Sequence, residues 1–346
     1  MRILTLKTYV RVFLLCSILP SIYLVGCLKD TPNDSTLEID TEGTELLSAL
    51  PAANFYPTAM DMFKESTSEF LLVILGVGNG ACKSENGDMK DGIFVYRLTL
   101  DQEVVQTEDF LFETALSDKG NLSFIANHCG IYNSQSPEAV AFINDEEILV
   151  SAEGNKKIYK CNLNITSKNI SCQDTNTLEI EAFGGGGEVA ENSGIAVTET
   201  ILWAVADDAT HIFGYPASCF NPDPETDTEC AAIQELTLPD SLSQAEGLSV
   251  NQCGEDNLLT AFIADVGDHG TKKIYRLGLD SLYENPNKSC WSAKYDLPDP
   301  IKEANIEAFA IIPDSNCNKA LFITKDTERD FYFVDLKESE STACDK

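Results

Sequence analysis

A five-residue phrase recurs five times along the chain, and it restricts the fold more than any other feature. It reads Pro57-Thr58-Ala59-Met60-Asp61, Pro137-Glu138-Ala139-Val140-Ala141, Asn192-Ser193-Gly194-Ile195-Ala196, Ala245-Glu246-Gly247-Leu248-Ser249 and Ile306-Glu307-Ala308-Phe309-Ala310. Successive copies start 80, 55, 53 and 61 residues apart. Each is followed by a second apolar run, such as Ile148-Leu149-Val150 or Ile201-Leu202-Trp203. A third run carries an aromatic, as in Phe94-Val95-Tyr96 and Ile274-Tyr275-Arg276, and a weaker fourth closes most units. Clusters of Asn, Asp, Gly and Pro separate the runs, the punctuation of short strands rather than helices.

Four strands per unit, repeated at roughly 40 to 60 residues, is the pattern of an all-β propeller. A β-sandwich array would not repeat one motif at the start of every unit. The small residue after the polar one lets the innermost strands crowd round an axis. Five units are visible. The long first interval contains Asn121-Leu122-Ser123-Phe124-Ile125-Ala126, which leaves a degenerate sixth blade open. The last unit lacks a clear fourth strand, and Thr36-Leu37-Glu38-Ile39-Asp40 is a candidate to supply it from the N-terminal side, hiding the edge.

The first 26 residues read as a leader. Arg2, Lys7 and Arg11 form a basic stretch, residues 12–24 are apolar, and Leu24-Val25-Gly26-Cys27 ends the run. That is signal-peptide length and too short to span a bilayer. The ending resembles the lipobox of bacterial lipoproteins, which implies cleavage before Cys27 and lipid on its thiol. Leu28-Lys29 follows, not the Asp that retains enteric lipoproteins in the inner membrane, so an outer-membrane location is expected. The domain plan is a leader at 1–26, a lipidated cysteine and polar tether at 27–50, and the propeller at 51–346.

The whole chain carries a net charge of −32. Loss of three leader cations leaves the mature chain at about −35, which repels nucleic acid and anionic lipid surfaces. No nucleic-acid partner is expected. The membrane is met through lipid on Cys27, and a monomer is expected. Twelve cysteines occur. Cys16 leaves with the leader and Cys27 takes lipid. The remaining ten suit disulfides in an exported chain, and without Cys-x-x-Cys and with only three histidines zinc has little support. Placement around the strand turns suggests Cys82–Cys129, Cys161–Cys172, Cys219–Cys230, Cys253–Cys290 and Cys317–Cys344.

The repeat sets Glu138, Glu246 and Glu307 at one position of the first strand, with Thr58 and Ser193 in the other two units. Glu153, Asp207, Asp265 and Asp326 close the second strands. Carboxylates converging on one axis repel unless a cation sits among them, and hard oxygen donors in a roomy site favour Ca²⁺. The alternative is that each acid caps backbone N–H groups of the neighbouring blade. Asn192-Ser193-Gly194-Ile195-Ala196 followed by Leu202-Trp203-Ala204-Val205-Ala206-Asp207 resembles the regucalcin and gluconolactonase type of calcium-dependent lactonase. The resemblance covers about 25 residues and implies that Asn192 and Asp207 hold the metal, with Glu138 or Glu246 standing in for a Glu that the family carries in its first blade. There this chain has Thr58. Two functions stay open: a surface propeller binding a partner or ligand, and a calcium-dependent lactonase or esterase-like hydrolase. No Ser-His-Asp or Cys-His constellation suggests itself.

Overall fold

The computed structural model describes residues 55–83, 89–100, 114–115, 120–130, 137–152, 157–179, 192–198, 200–206, 211–216, 231–238, 242, 245–253, 258–265, 273–279, 293–297, 306–313, 317–324 and 331–336. All of them belong to one compact unit, Ile39–Lys346. They form twenty strands in five four-stranded antiparallel sheets. Blade one consists of β1 (Phe55–Lys64), β2 (Glu69–Lys83), β3 (Met89–Leu100) and β5 (Gly120–Cys129). Blade two is β6 (Pro137–Asn144), β7 (Glu147–Ala152), β8 (Lys157–Asn164) and β9 (Asn169–Glu179). Blade three runs β10 (Asn192–Val197), β11 (Ile201–Ala206), β12 (His211–Pro216) and β13 (Gln234–Thr237). Blade four runs β14 (Ala245–Cys253), β15 (Leu258–Asp265), β16 (Lys273–Gly278) and β17 (Ala293–Asp296). Blade five holds β18 (Ile306–Ile311), β19 (Lys319–Thr324), β20 (Phe331–Asp335) and a two-residue strand, β4 (Thr114–Ala115).

The apolar core proves the ring. It falls into five clusters, and each lies between two consecutive blades. One joins blades one and two, through Val73, Ile93, Val140 and Ile148. Others join blades two and three, three and four, and four and five. The last joins blade five back to blade one, through Met60, Leu72, Ala310 and Leu321. Phe70 to Leu75 in β2 are all fully buried. With a side-chain period of two, Phe70, Leu72 and Ile74 enter the seam with blade five, and Leu71, Val73 and Leu75 enter the seam with blade two. Burial on both faces explains why this strand is apolar without alternation.

Three expectations need correction. The segment Asn121 to Ala126 is no sixth blade; it lies in β5, the outer strand of blade one, paired along β3. Blade five takes its fourth strand from Thr114–Ala115, which pairs with Phe333 and Tyr332; residues 36–40, the expected candidate for that place, lie outside the described residues. The chain therefore leaves blade one after β3, lends two residues to blade five, and returns as β5.

The third concerns the cysteines. Cys161–Cys172 is bonded as expected, across facing positions of β8 and β9. Cys253 is bonded to Cys317, with Cα atoms 5.5 Å apart. That excludes the expected Cys253–Cys290 and Cys317–Cys344 pairs. Cys253 ends β14, and Cys317 precedes β19, so both sit at the turn between first and second strands, in consecutive blades. Turns at one end of adjacent blades are neighbours, and the bond staples blade four to blade five. Cys129 is also disulfide-bonded. The expected pair Cys82–Cys129 rests on a Cys82 side chain outside the described residues, and Cys219–Cys230, Cys290 and Cys344 lie outside them too.

Candidate functional site

Five first strands, β1, β6, β10, β14 and β18, surround one small space at the centre of the ring. It is lined by Ala59 and Met60 of β1, by Glu138, Ala139 and Val140 of β6, and by residues of the other three strands. About 10 Å³ is open to the centre of a water, room for roughly one molecule. The described residues therefore leave little open space at this level.

The recurring phrase builds the closure. Its third residue is small in every blade: Ala59, Ala139, Gly194, Gly247 and Ala308. A Cβ on Gly194 would come within 2.7 Å of both the backbone N and the Cβ of Leu248 in the next blade. One on Gly247 would come within 2.9 Å of the Phe309 ring, again in the next blade. Each inner strand thus rests on its successor just past the small residue, and side-chain bulk there would hold the strands apart.

The residue before the small one is skipped by the sheet ladder in every blade. Pro57 faces Gly76 and Ala59 faces Leu75, leaving Thr58 unpaired. Pro137 faces Ala152 and Ala139 faces Ser151, leaving Glu138 out. Asn192 faces Ala206 and Gly194 faces Val205, so Ser193 is extra. Ile306 faces Thr324 and Ala308 faces Ile323, which bypasses Glu307. In β14 the irregularity spans Ala245 to Leu248 and takes in Glu246. Without a bulge, strict alternation would send Glu138 to the same side as Val140, into the apolar seam with blade one. An unpaired carboxylate there costs several kcal/mol. A bulge re-aims the side chain, and Glu138 is half-buried at the central space instead.

The predicted donors are only partly brought together. Glu138, Glu246 and Glu307 share the bulge position. Asn192 opens β10 opposite Ala206, the residue before Asp207, and Ala245 faces Asp265. Both acidic positions thus belong to one end of the blades. The side chains of Asn192, Glu246, Glu307 and Asp265, and Asp207, Glu153 and Asp326 altogether, lie outside the described residues. Among the described residues no group of three His, Cys, Asp or Glu side chains is placed to hold a metal. Thr58 is 6 % exposed, and its Oγ1 has no hydrogen-bond partner among the described residues. Such an atom is uncommon in a folded core and calls for a water or a ligand.

One carboxyl that sequence reasoning passed over stands out. Asp61 Oδ2 accepts a hydrogen bond from the backbone N–H of Phe142, 2.7 Å away in blade two. Its counterparts in the repeat are Ala141, Ala196, Ser249 and Ala310, all buried. Asp61 is half-buried between the two blades. Burial raises its pKa to about 7, against the opposing pull of the N–H groups of Phe142 and Met62. This is the capping of a neighbouring blade that was considered for the glutamates, realised at another residue. The signal was an acid at a position that is small in the other four copies.

No protein-family profile matches the chain, and no curated protein matches it. Among solved structures, it is similar to the glutaminyl cyclase of Myxococcus xanthus, at 9% identity and a TM-score of 0.43 over 83% of this chain and 94% of that one. A streptogramin B lyase gives 11% identity and a TM-score of 0.38 over 83% and 96%. A putative 6-phosphogluconolactonase from Bacteroides fragilis gives 8% and 0.37 over 83% and 96%. At such identities and TM-scores these likenesses decide nothing about activity. The chain is a five-bladed β-propeller on its own strand order and its five closed seams.

Proposed function

We propose that this propeller is an extracytoplasmic lipoprotein, held by lipid on Cys27, that binds a small ligand or a partner group at the mouth of its channel. The observation that carries the reading is the coincidence of the bulges. Five inner strands each break their ladder at the same residue, immediately beside a ring too tight to admit more than about one water. Small-molecule sites occupy some 300 Å³ or more, so a ligand belongs on the outer side of that ring, where the bulged residues are. Three of the five are glutamates, which suits a cationic group or a bound metal ion. Thr58, whose Oγ1 has no partner among the described residues, supplies a neutral contact at the same level of the repeat.

The test uses Ca²⁺ itself as the probe. Thermal unfolding is followed in EDTA and in millimolar Ca²⁺, for wild type and for the triple variant Glu138→Gln, Glu246→Gln, Glu307→Gln. A ligand at one hundred times its Kd stabilises by about 2.7 kcal/mol, and the variant should lose that gain. In EDTA the variant should melt at or above the wild type, because like charges round one axis have been removed. A Ca²⁺ shift that survives in the variant would remove the channel mouth from the reading.

A second reading, metal-dependent hydrolysis of a lactone or ester, draws on the placement of Asn192 at the bulge opposite the strand end that precedes Asp207. Those two residues, with Glu138, would hold the ion, which supplies Lewis-acid polarisation of a carbonyl. Ca²⁺-dependent acid release from a simple lactone, lost in Asp207→Asn, is the measurement that separates catalysis from binding.

A further inference from the structure

Asp61 breaks the repeat at a mechanically sensitive place. It faces Val73 across the β1–β2 ladder, and Val73 lies in the seam between blades one and two. Its acceptor role reaches into blade two, to the N–H of Phe142. β6 is the innermost strand of its sheet, so an N–H that leaves the β7 ladder points off the open, channel-side edge. The Asp61 carboxyl therefore bridges two inner strands at the channel wall. Beside it, Phe63 and Phe142 pack at 6.0 Å between ring centroids, so the bridge is set against apolar surface.

We propose that Asp61 is a proton-operated joint between blades one and two: neutral, it lets the seam close dry, and ionised, it loosens the inner-strand contact beside the channel. The four other blades place Ala or Ser here, so the fold itself does not require an acid. Titratable groups on the elements packed round it are Lys64 on β1, Glu69 and Lys83 on β2, Glu138 on β6 and Glu307 on β18. Among the described residues no charged group contributes to its shift, which comes from burial and two backbone N–H groups. The sign follows. A carboxyl whose folded pKa is raised adds stability that is complete below its unfolded value and is lost as pH rises through the folded one. The window runs from 3.8 to about 7.

The experiment follows thermal unfolding between pH 4 and 8.5 for wild type, Asp61→Asn and Asp61→Ala, with ¹³C-carboxyl and Phe142 amide signals recorded on wild type. Between pH 4 and 8 the Asp61 contribution should change the wild-type unfolding equilibrium by up to roughly a thousandfold, and both variants should lack that component. The carboxyl should titrate near neutrality, and the Phe142 amide should move with the same midpoint. Parallel stability curves in all three proteins, or a carboxyl midpoint below about 5, overturn the proposal. If a variant fails to fold, the wild-type titration decides alone.

Discussion

Gly194 and Gly247 stand at equivalent positions, yet their neighbours differ in what they can yield. Gly194 is opposed by the backbone of Leu248 and by Val205 Cγ1 at 2.9 Å, whereas Gly247 is opposed by the edge of the Phe309 ring. A ring can tilt; a strand in a closed circle cannot move without its partners. Overpacking of this kind costs about 1–3 kcal/mol. Gly194→Ala should therefore fall at the upper end of that range and Gly247→Ala at the lower, measured by chemical denaturation, and the reverse order would contradict the packing described. The need for small residues was legible in the sequence, because five aligned phrases show Ala or Gly in one column. The bulges beside them were not, since a bulge is a property of two strands in register and a single strand's letters cannot show it. Asp61 escaped for a related reason. Its partner is a backbone N–H 81 residues away, which leaves no trace in side-chain pattern.

Strands with a long apolar run announced themselves, and short or displaced ones did not. β4 has two residues, too few for any periodicity. β5 has strand-like letters in plain view, but the excursion that precedes it made it resemble the start of another unit. The cysteines show the same limit. Their place in the turns gave the correct face of the ring, and Cys161 with Cys172 was readable because both lie in one hairpin. Cys253 with Cys317 required knowing that the turns of adjacent blades touch. The two bonds should differ in effect. Chain-entropy arithmetic gives about 4 kcal/mol for the 64-residue separation of Cys253–Cys317 and about 3 kcal/mol for the 11-residue Cys161–Cys172. Replacing Cys253 and Cys317 by Ser should lower the thermal midpoint more than replacing Cys161 and Cys172. Equal losses would mean that the staple between blades restrains the unfolded chain no better than the clip within one. The Cys317 backbone, at φ 50°, is in the left-handed region, so Cys317→Gly should be milder than Cys317→Ser in a Cys253→Ser background.

For the molecule as a whole, the leader and tether carry the proposal about location, and Cys27→Ser is its direct check. The variant should fail to incorporate labelled fatty acid and should leave the membrane fraction, while unfolding at the same temperature as wild type once both are purified. A Cys27→Ser protein that stays with membranes after a salt wash would sink the anchor. The ring itself has a temporal consequence. Blade one is the first blade to be made, yet it keeps two residues in reserve for a strand, β20, that lies more than two hundred residues downstream. Until that strand arrives, the loan has no recipient and the circle stays open at both flanks. A chain made N-terminus first thus completes its last sheet with one of its earliest segments. Pairings over such separations are slow to form. Pulse-labelled hydrogen exchange should therefore find Phe333 and its β20 neighbours protected late, after the central blades, which makes the unfinished ring the species that a chaperone or protease would meet.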